Sequence, residues 1–182
     1  MRPKEKLTPA EIAILSLVNE GETHGYGLDE TIRYRGMRNW ADIGFSSIYA
    51  ILTRLEKAKL ISSRRDTSGK LPVRKLYQIT GKGKNVLRDH IKLYLSEPEQ
   101  PRRRIDIGAA DIGLLRPDEA IQCLEAYHVR LTERIAKLEK SRKQQQPLPF
   151  GAGIIFDHGL VKGNAELRWV ESIINVLKKG EK

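Results

Sequence analysis

The chain has 182 residues, of which 40% are hydrophobic and 31% charged, a composition typical of a soluble, helix-rich protein with one or two domains. No apolar run approaches the ~20 residues needed to cross a bilayer, and the charged N-terminal stretch lacks the continuous apolar core of a signal peptide. Cys123 is the only cysteine, which excludes an internal disulfide and favours a reducing, cytoplasmic setting.

Positive charge is concentrated in the first half of the chain. The net charge is +10, from 33 Lys and Arg against 23 Asp and Glu. Residues 1–95 hold 18 basic and 10 acidic residues, a net charge of +8, which leaves +2 for the remainder. Such a local excess favours a polyanionic partner, although a solvated surface also produces it.

Two short helices are predicted at the start of the chain. Thr8, Pro9 and Glu11 have the spacing of a capping box with proline at the first helical position. This helix is expected to end at Gly21, and a second is predicted over residues 25–34. The core candidates are Ile12, Leu15 and Val18 in the first helix and Tyr26, Leu28 and Ile32 in the second.

A third helix is predicted from the stretch that begins at Phe45. Its apolar side carries Ile48, Ile51, Leu52 and Leu55. Its other side carries Ser46, Ala50, Thr53, Arg54 and Lys57, with Tyr49 at the margin. Small, hydroxyl-bearing and basic side chains suit close approach to a groove of DNA, because they can hydrogen-bond to base edges or phosphates.

After Leu60 the pattern changes to that of a basic hairpin. Two short runs with Leu, Ile, Val and Tyr flank the turn-forming residues Asp66, Ser68 and Gly69, and Thr80 is placed to cap a fourth helix. The cations near the predicted tip are Arg64, Arg65, Lys70 and Arg74. Three helices followed by a basic hairpin predict a winged helix-turn-helix, whose third helix enters the major groove while the hairpin lies along the DNA backbone.

Three segments in this half resemble the PadR family of bacterial transcriptional regulators: "AILSLVNEGETHGYGLDETI", "SSIYAILTRLEKAKLISSRR" and "RKLYQITGKGK". The matching positions are His24, Gly25 and Tyr26; Ile48, Tyr49, Ala50 and Leu52; and Arg74, Lys75, Tyr77, Ile79 and Thr80. Ala50 stands where the family usually has proline, and Gly81-Lys82 replaces its usual acidic pair. The resemblance implies a DNA-binding regulator that binds planar hydrophobic molecules near its dimer interface, and the residues identify no effector.

Two long helices are predicted in the second half. Apolar positions recur at spacings of three and four from Ile121 to Leu138 and from Leu160 to Leu177, on either side of a break at residues 144–153. This heptad-like pattern predicts an antiparallel pair that buries its stripe against itself and a partner chain. The region resembles the C-terminal part of virulence-activator-like PadR proteins.

No constellation of residues indicates catalysis, a cofactor or a metal. The four histidines lack the spacing of a helical metal site, with His24 expected at the entrance of helix two and His128 as a polar position on the heptad stripe. Neither "GYG" nor "GKGKN" completes a nucleotide-binding loop. Cys123 is expected to be an inert, partly buried thiol.

The combined prediction is a mainly α protein, with a winged helix-turn-helix carrying a two-stranded wing at residues 1–95, a linker at 96–116 and a helical antiparallel coiled-coil dimerisation domain at 117–182. The predicted DNA contacts are Ser46, Ser47, Tyr49, Ala50, Thr53 and Arg54 on the helix and Arg64, Arg65, Lys70, Arg74 and Lys75 on the wing. The predicted dimer contacts are Leu124, Leu131, Leu138, Leu167, Trp169, Val170 and Ile174.

These features predict a dimeric, sequence-specific DNA-binding repressor that binds an inverted repeat and no membrane. A response to a small aromatic or hydrophobic effector is implied only by the resemblance to the PadR family. A winged-helix protein–protein adaptor without DNA binding is the alternative, because the same fold serves as a scaffold. An RNA-binding module ranks third, since the helix and wing lack the exposed aromatic pairs that stack bases.

Overall fold

The computed structural model describes residues 5–39, 41, 43–44, 47–66, 74–98 and 104–180. The chain divides into two compact units, Met1–Gln100 and Pro101–Lys182. The first contains α1 (Pro9–Glu20), β1 (Thr23–His24), α2 (Gly25–Tyr34), a 3-10 turn (Met37–Asn39), α3 (Ser47–Lys57), β2 (Ile61–Asp66), β3 (Arg74–Ile79) and α4 (Gly81–Ser96). The second contains α5 (Arg104–Ala110), a 3-10 turn (Ile112–Leu114), α6 (Pro117–Gln144) and α7 (Phe150–Lys179).

The first unit is built around α1, which packs against α3, α4 and β3. The predicted capping box at its start is present: the Glu11 backbone N–H donates to Thr8 Oγ1, and the Thr8 backbone N–H donates to Glu11 Oε2 at 2.8 Å. The least exposed core side chains are Ile14, Leu15, Ile32, Leu52 and Leu60. Since the apolar side of α3 contributes to this core, its polar side necessarily faces outward.

The wing belongs to a three-stranded antiparallel sheet with the order β1-β3-β2. The β2–β3 hairpin confirms the predicted wing, and β1 adds a strand that the sequence did not predict. A strand of two residues is too short to show the alternation of apolar and polar side chains by which a strand is recognised in a sequence. Thr23 and His24 become a strand only because they lie opposite Tyr77 and Leu76 on β3.

A tight turn joins α3 directly to β2. Lys59 has a positive φ of 59°, its N–H donates to the Glu56 carbonyl, and the Leu60 N–H donates to the Leu55 carbonyl. This is the bond pattern of a Schellman motif, with a lysine where glycine is usual. The turn sends the chain into the wing immediately after the helix, so the orientation of the wing follows from how α3 ends.

The second unit is an antiparallel helical hairpin, as predicted. Ion pairs follow its length, from Arg142–Asp157 at 2.9 Å near the connection to Lys178–Glu125 at 2.7 Å near the open end. A Cβ atom at Gly163 would lie 2.9 Å from Ile135, so the missing side chain permits the close approach of α6 and α7. None of the helices in the described parts of the chain is long and apolar enough to cross a membrane.

Several local expectations are corrected. Tyr26 is 58% exposed and lies outside the core, and Cys123 is exposed, not partly buried. The segment 96–116 contains α5 and a 3-10 turn, its residues 99–103 lie outside the described part of the chain, and its role as a linker stays a prediction. The predicted break between the long helices is shorter than expected, because α7 already begins at Phe150 and includes Gly151 and Gly153.

Candidate nucleic-acid interface

The outward side of α3 carries a short row of predicted DNA contacts. Tyr49 is 60% exposed, Ala50, Thr53 and Arg54 are also exposed, and Ser47 is half-buried. On the opposite side Ile48, Ile51, Leu52 and Leu55 are buried, as predicted. The polar row is therefore free to meet a partner without disturbing the core. Ser46, the first residue of the predicted row, lies outside the described residues.

Two hydroxyl groups of this row are already donors within the chain. Ser47 Oγ donates to the Gly44 carbonyl at 2.6 Å, and Thr53 Oγ1 donates to the Tyr49 carbonyl at 2.9 Å. A hydroxyl that donates its single hydrogen still has lone pairs to accept with. Both side chains are thereby arranged as acceptors, which suits the amino groups of adenine or cytosine in the major groove.

The ring of Tyr49 lies against the start of α2. A Cβ atom added at Gly25 would lie 2.6 Å from Cε1 of Tyr49, so the absence of a side chain at Gly25 makes room for the tyrosine. His24, Gly25, Tyr26, Tyr49, Arg74, Lys75 and Tyr77 together line one groove of about 460 Å³. The fold thus brings α3, the entrance of α2 and the second strand of the wing to one surface.

Arg54 is held in place by a buried carboxylate. Its Nε donates to Glu11 Oε1 at 2.8 Å, and Glu11 is only 7% exposed. Burial by itself raises the pKa of Glu11, but hydrogen bonds from Thr8 and Arg54 outweigh it, and the net pKa is lowered. The carboxyl group therefore stays ionised, and it orients Arg54, whose side chain is otherwise mostly exposed, along the outer face of α3.

The strand register divides the cations of the wing between its two faces. Arg65 lies opposite Lys75, and this pair shares a face with Ser63 and Tyr77. That face points toward α3, because both Ser63 and Lys75 bond to Glu56 of this helix. The Arg64–Leu76 and Asp66–Arg74 pairs occupy the opposite face.

Two of the wing cations are paired with carboxylates of their own chain. Arg64 donates to Glu22 at 2.7 Å and Lys75 to Glu56 at 3.1 Å, and each of these hydrogen bonds raises the pKa of the cation. The side chains of Arg65 and Arg74 are exposed and make no hydrogen bond or ion pair with the part of the chain that the structure describes. Residues 67–73, which include Lys70 and were predicted to form the tip of the hairpin, lie outside it.

His24 connects α2 to the wing. Its Nδ1 lies 3.1 Å from the Lys75 carbonyl on β3, and its Nε2 lies 3.3 Å from Asp66 Oδ2 at the end of β2. The ring therefore contacts both strands of the hairpin from the N-cap position of α2. This geometry agrees with the structural role expected for His24 at the entrance of helix two.

The predicted dimer contacts have two different environments in the single chain. Leu124, Leu131, Val170 and Ile174 are buried within the second unit, where they stabilise the α6–α7 hairpin itself. Leu138 and Leu167 are half-buried, and Trp169 is 37% exposed. Only these last three retain area for a second chain to cover.

The acidic partners of the interface are the functional residues that sequence reasoning missed. Glu11 was recognised only as part of a capping box, and nothing local in the sequence indicates that it reaches Arg54, 43 positions away. Glu22 and Glu56 were not singled out either. A tally of positive charge finds the cations, whereas the identity of each internal partner depends on the packing.

Comparisons with known proteins agree with this architecture. Residues 14–89 match the family model described as the transcriptional regulator PadR-like family. The negative transcriptional regulator PadR of Bacillus subtilis (strain 168) is 25% identical over 176 residues, which cover 92% of this chain and 96% of that protein.

Two crystal structures of Bacillus subtilis PadR share the fold at 24% identity and a TM-score of 0.78. One is a complex with operator DNA, in which 92% of this chain matches 98% of that chain. The other is a complex with p-coumaric acid, with coverages of 93% and 99%. Residues 14–89 thus match a PadR-like domain, and the chain shares the fold of Bacillus subtilis PadR, with a winged helix and a C-terminal helical hairpin.

Proposed function

We propose that this chain is a dimeric, sequence-specific DNA-binding protein that represses transcription and has no enzymatic activity of its own. The observation that carries the proposal is the single surface on which the outer row of α3 adjoins the cations of β3. Such a surface can address base edges and phosphates at the same time, which is what sequence-specific binding requires. Operator binding would place the protein with the genome, in the cytoplasm of a bacterium.

The dimensions of the helix fit the major groove. The 11 residues of α3 span about 16 Å, and a helix with its side chains, roughly 10–12 Å across, matches a groove about 12 Å wide. Tyr49, Ala50 and Thr53 would then face base edges. Arg54 would reach a base edge or a nearby phosphate from the position in which Glu11 holds it.

The wing supplies contacts that do not depend on sequence. Arg65 and Arg74 would bind phosphates most readily, because neither is engaged by a described residue of the chain. Lys70 is proposed as a further contact from its position in the sequence. Arg64 and Lys75 would have to exchange a carboxylate for a phosphate, which reduces the net gain from each contact.

Dimerisation is proposed to use residues 117–182 of the second unit, through Leu138, Leu167 and Trp169. Other exposed apolar side chains of the hairpin, among them Val129, Ile154, Ile155 and Val161, add to the area available to a second chain. A two-fold dimer presents two copies of α3, so the operator should be an inverted repeat. Its half-sites should be about 34–36 Å apart, or a multiple of that distance.

Regulation by a small aromatic or hydrophobic molecule is part of the proposal. Bacillus subtilis PadR, a relative of nearly the same length, has been crystallised in complex with p-coumaric acid, and this complex supports the proposal. p-Coumaric acid is therefore the first effector to test. Binding of an effector to the form with low DNA affinity would shift the population away from the operator-bound state.

The decisive experiment selects bound DNA from a random pool with the full chain, with and without p-coumaric acid. We expect an inverted-repeat consensus that is retained less well as salt or effector increases. A salt-sensitive, symmetric consensus supports the DNA-binding dimer. A chain that retains no DNA even at 50 mM salt would refute the proposal and leave the protein–protein adaptor as the interpretation of this fold.

A further inference from the structure

Glu56 lies in the last turn of α3, where the recognition helix meets the wing. Its Oε1 accepts a hydrogen bond from Ser63 Oγ on β2 at 2.5 Å, and its Oε2 accepts one from Lys75 Nζ on β3 at 3.1 Å. One carboxylate thus contacts both strands of the hairpin. The strand register places Ser63 and Lys75 on the same face of the sheet, which makes this double contact possible.

The environment of Glu56 keeps its carboxyl group ionised. The hydrogen bond from Ser63, and after it the bond from Lys75, lower the pKa of Glu56 against a smaller opposing effect of burial. The same contact raises the pKa of Lys75. Both groups are therefore charged near neutral pH, and they form a solvent-exposed ion pair in which Glu56 compensates part of the charge of Lys75.

We propose that Glu56 is a positioning residue that fastens the wing to the recognition helix and, by compensating Lys75, lowers the affinity of the protein for DNA of any sequence. This inference rests on the proposed DNA-binding function. It goes beyond that function because it assigns an acidic residue, which makes no favourable contact with DNA, a role in setting how tightly the protein binds.

The argument depends on competition for one ammonium group. The ammonium group of Lys75 can bind a phosphate only when it breaks its contact with Glu56, or when its hydrogens are shared between Glu56 and the phosphate. A lysine released from its carboxylate adds one phosphate contact per half-site, whereas base contacts made by Tyr49 or Thr53 are unchanged. Since phosphate contacts carry no base information, the added affinity is the same for operator and for scrambled DNA.

The test is the substitution Glu56→Gln in the full chain. Glutamine keeps an oxygen for the Ser63 hydroxyl, so the contact with β2 can persist, and only the charge that compensates Lys75 is lost. The plot of log affinity against log salt should become steeper by about 0.9 per half-site. If variant and parent bind equally at 1 M salt, the variant should then bind roughly fivefold more tightly than the parent, per half-site, at 0.15 M salt.

Glu30→Gln is the matched control. Glu30 is an exposed carboxylate on α2 that makes no hydrogen bond or ion pair with the described residues, and its replacement changes the net charge by the same amount. Because it releases no lysine, this variant should keep a salt slope within about 0.3 of the parent value. Near-parent behaviour of Glu30→Gln separates the local effect at Glu56 from the overall change of charge.

A double substitution shows whether Glu56 acts through Lys75. In a Lys75→Gln background the further change Glu56→Gln should alter neither slope nor affinity, because no lysine remains to be released. A merely structural role would persist in that background and would show as reduced operator affinity. Circular dichroism of each variant verifies that the fold is retained.

Three results would overturn the inference while leaving DNA binding by the parent intact. The slope of Glu56→Gln could equal that of Glu30→Gln, the tighter binding could be confined to the operator, or the effect could survive without Lys75. Failure of the proposed function would look different, because then the parent itself would retain no DNA.

Discussion

Gly83, in the first turn of α4, packs directly on the turn that joins the recognition helix to the wing. A Cβ atom at this position would lie 2.0 Å from the carbonyl oxygen of Leu60 and 2.8 Å from Cγ1 of Ile79. The closest neighbour is backbone, which cannot rotate away as a side chain can. We therefore expect Gly83→Ala to push α4 away from the end of α3, with loss of stability.

The size of the loss follows from the bonds at this junction. The new methyl group would start 2.0 Å from the Leu60 oxygen, so α4 would have to move by about 1 Å to bring this distance to 3.0 Å. The Leu60 carbonyl accepts a hydrogen bond from the Thr80 backbone N–H at 3.0 Å. The single hydrogen of the Thr80 hydroxyl is shared between the Lys59 and Leu60 carbonyls, at 2.8 and 3.0 Å, and the same hydroxyl caps α4 by accepting from the Gly83 N–H. Weakening two or three such bonds and straining the core should cost about 2–4 kcal/mol.

Urea denaturation followed by circular dichroism measures this cost, and the same helix supplies the control. Gly81 has open space around its missing Cβ, so Gly81→Ala should be neutral or stabilise by up to about 1 kcal/mol through reduced freedom of the unfolded chain. If Gly83→Ala unfolds at the same urea concentration as Gly81→Ala, the close packing of α4 on Leu60 is refuted.

Three further predictions concern the interface and the assembly. Gly25→Ala should keep the fold but displace the ring of Tyr49, and so change the preference between bases by about 1–3 kcal/mol. Selection of bound DNA measures this preference, and an unchanged consensus would contradict a base-reading role for Tyr49. Arg74→Ala should reduce the slope of log affinity against log salt by about 0.9 per half-site, and Lys75→Ala should reduce it by less because Lys75 is already paired with Glu56. Salt titrations that give the two variants the same slope would contradict this difference. Light scattering should give a dimer for the full chain and a monomer for a chain ending near Leu95, and a monomeric full chain would refute dimerisation through the C-terminal helices.

The sequence by itself was sufficient for elements specified by local signals. The capping box predicted the start of α1, the spacing of Ile48, Ile51 and Leu55 predicted the buried side of α3, and the apolar spacing from Ile121 to Leu138 predicted a long helix where α6 lies. These features depend on residues within one or two turns of each other, so they can be recognised without knowing the fold. The bounds of α2, residues 25–34, were also predicted as observed.

Exposure at the surface of the first unit was predicted less well. Tyr26 has the spacing of a core residue, yet its ring lies outside the core, in the groove beside Tyr49. Helical periodicity specifies which positions share a side of the helix, but the neighbouring elements decide how wide the covered stripe is. The strand β1 escaped recognition for a related reason, because its partner lies more than 50 residues further along the chain.

Only the tertiary structure decided which charges of the interface are compensated. From sequence, Arg54 on the helix and Arg64 and Lys75 on the wing were predicted DNA contacts without an assigned partner. The structure pairs each of them with a carboxylate from another element. An ion pair requires two side chains within about 4 Å, and for partners 19 to 43 positions apart that distance is determined by how helices and strands pack. Composition and periodicity therefore predicted a basic winged helix. Which of its cations are paired with a carboxylate and which are not could be decided only from the folded chain.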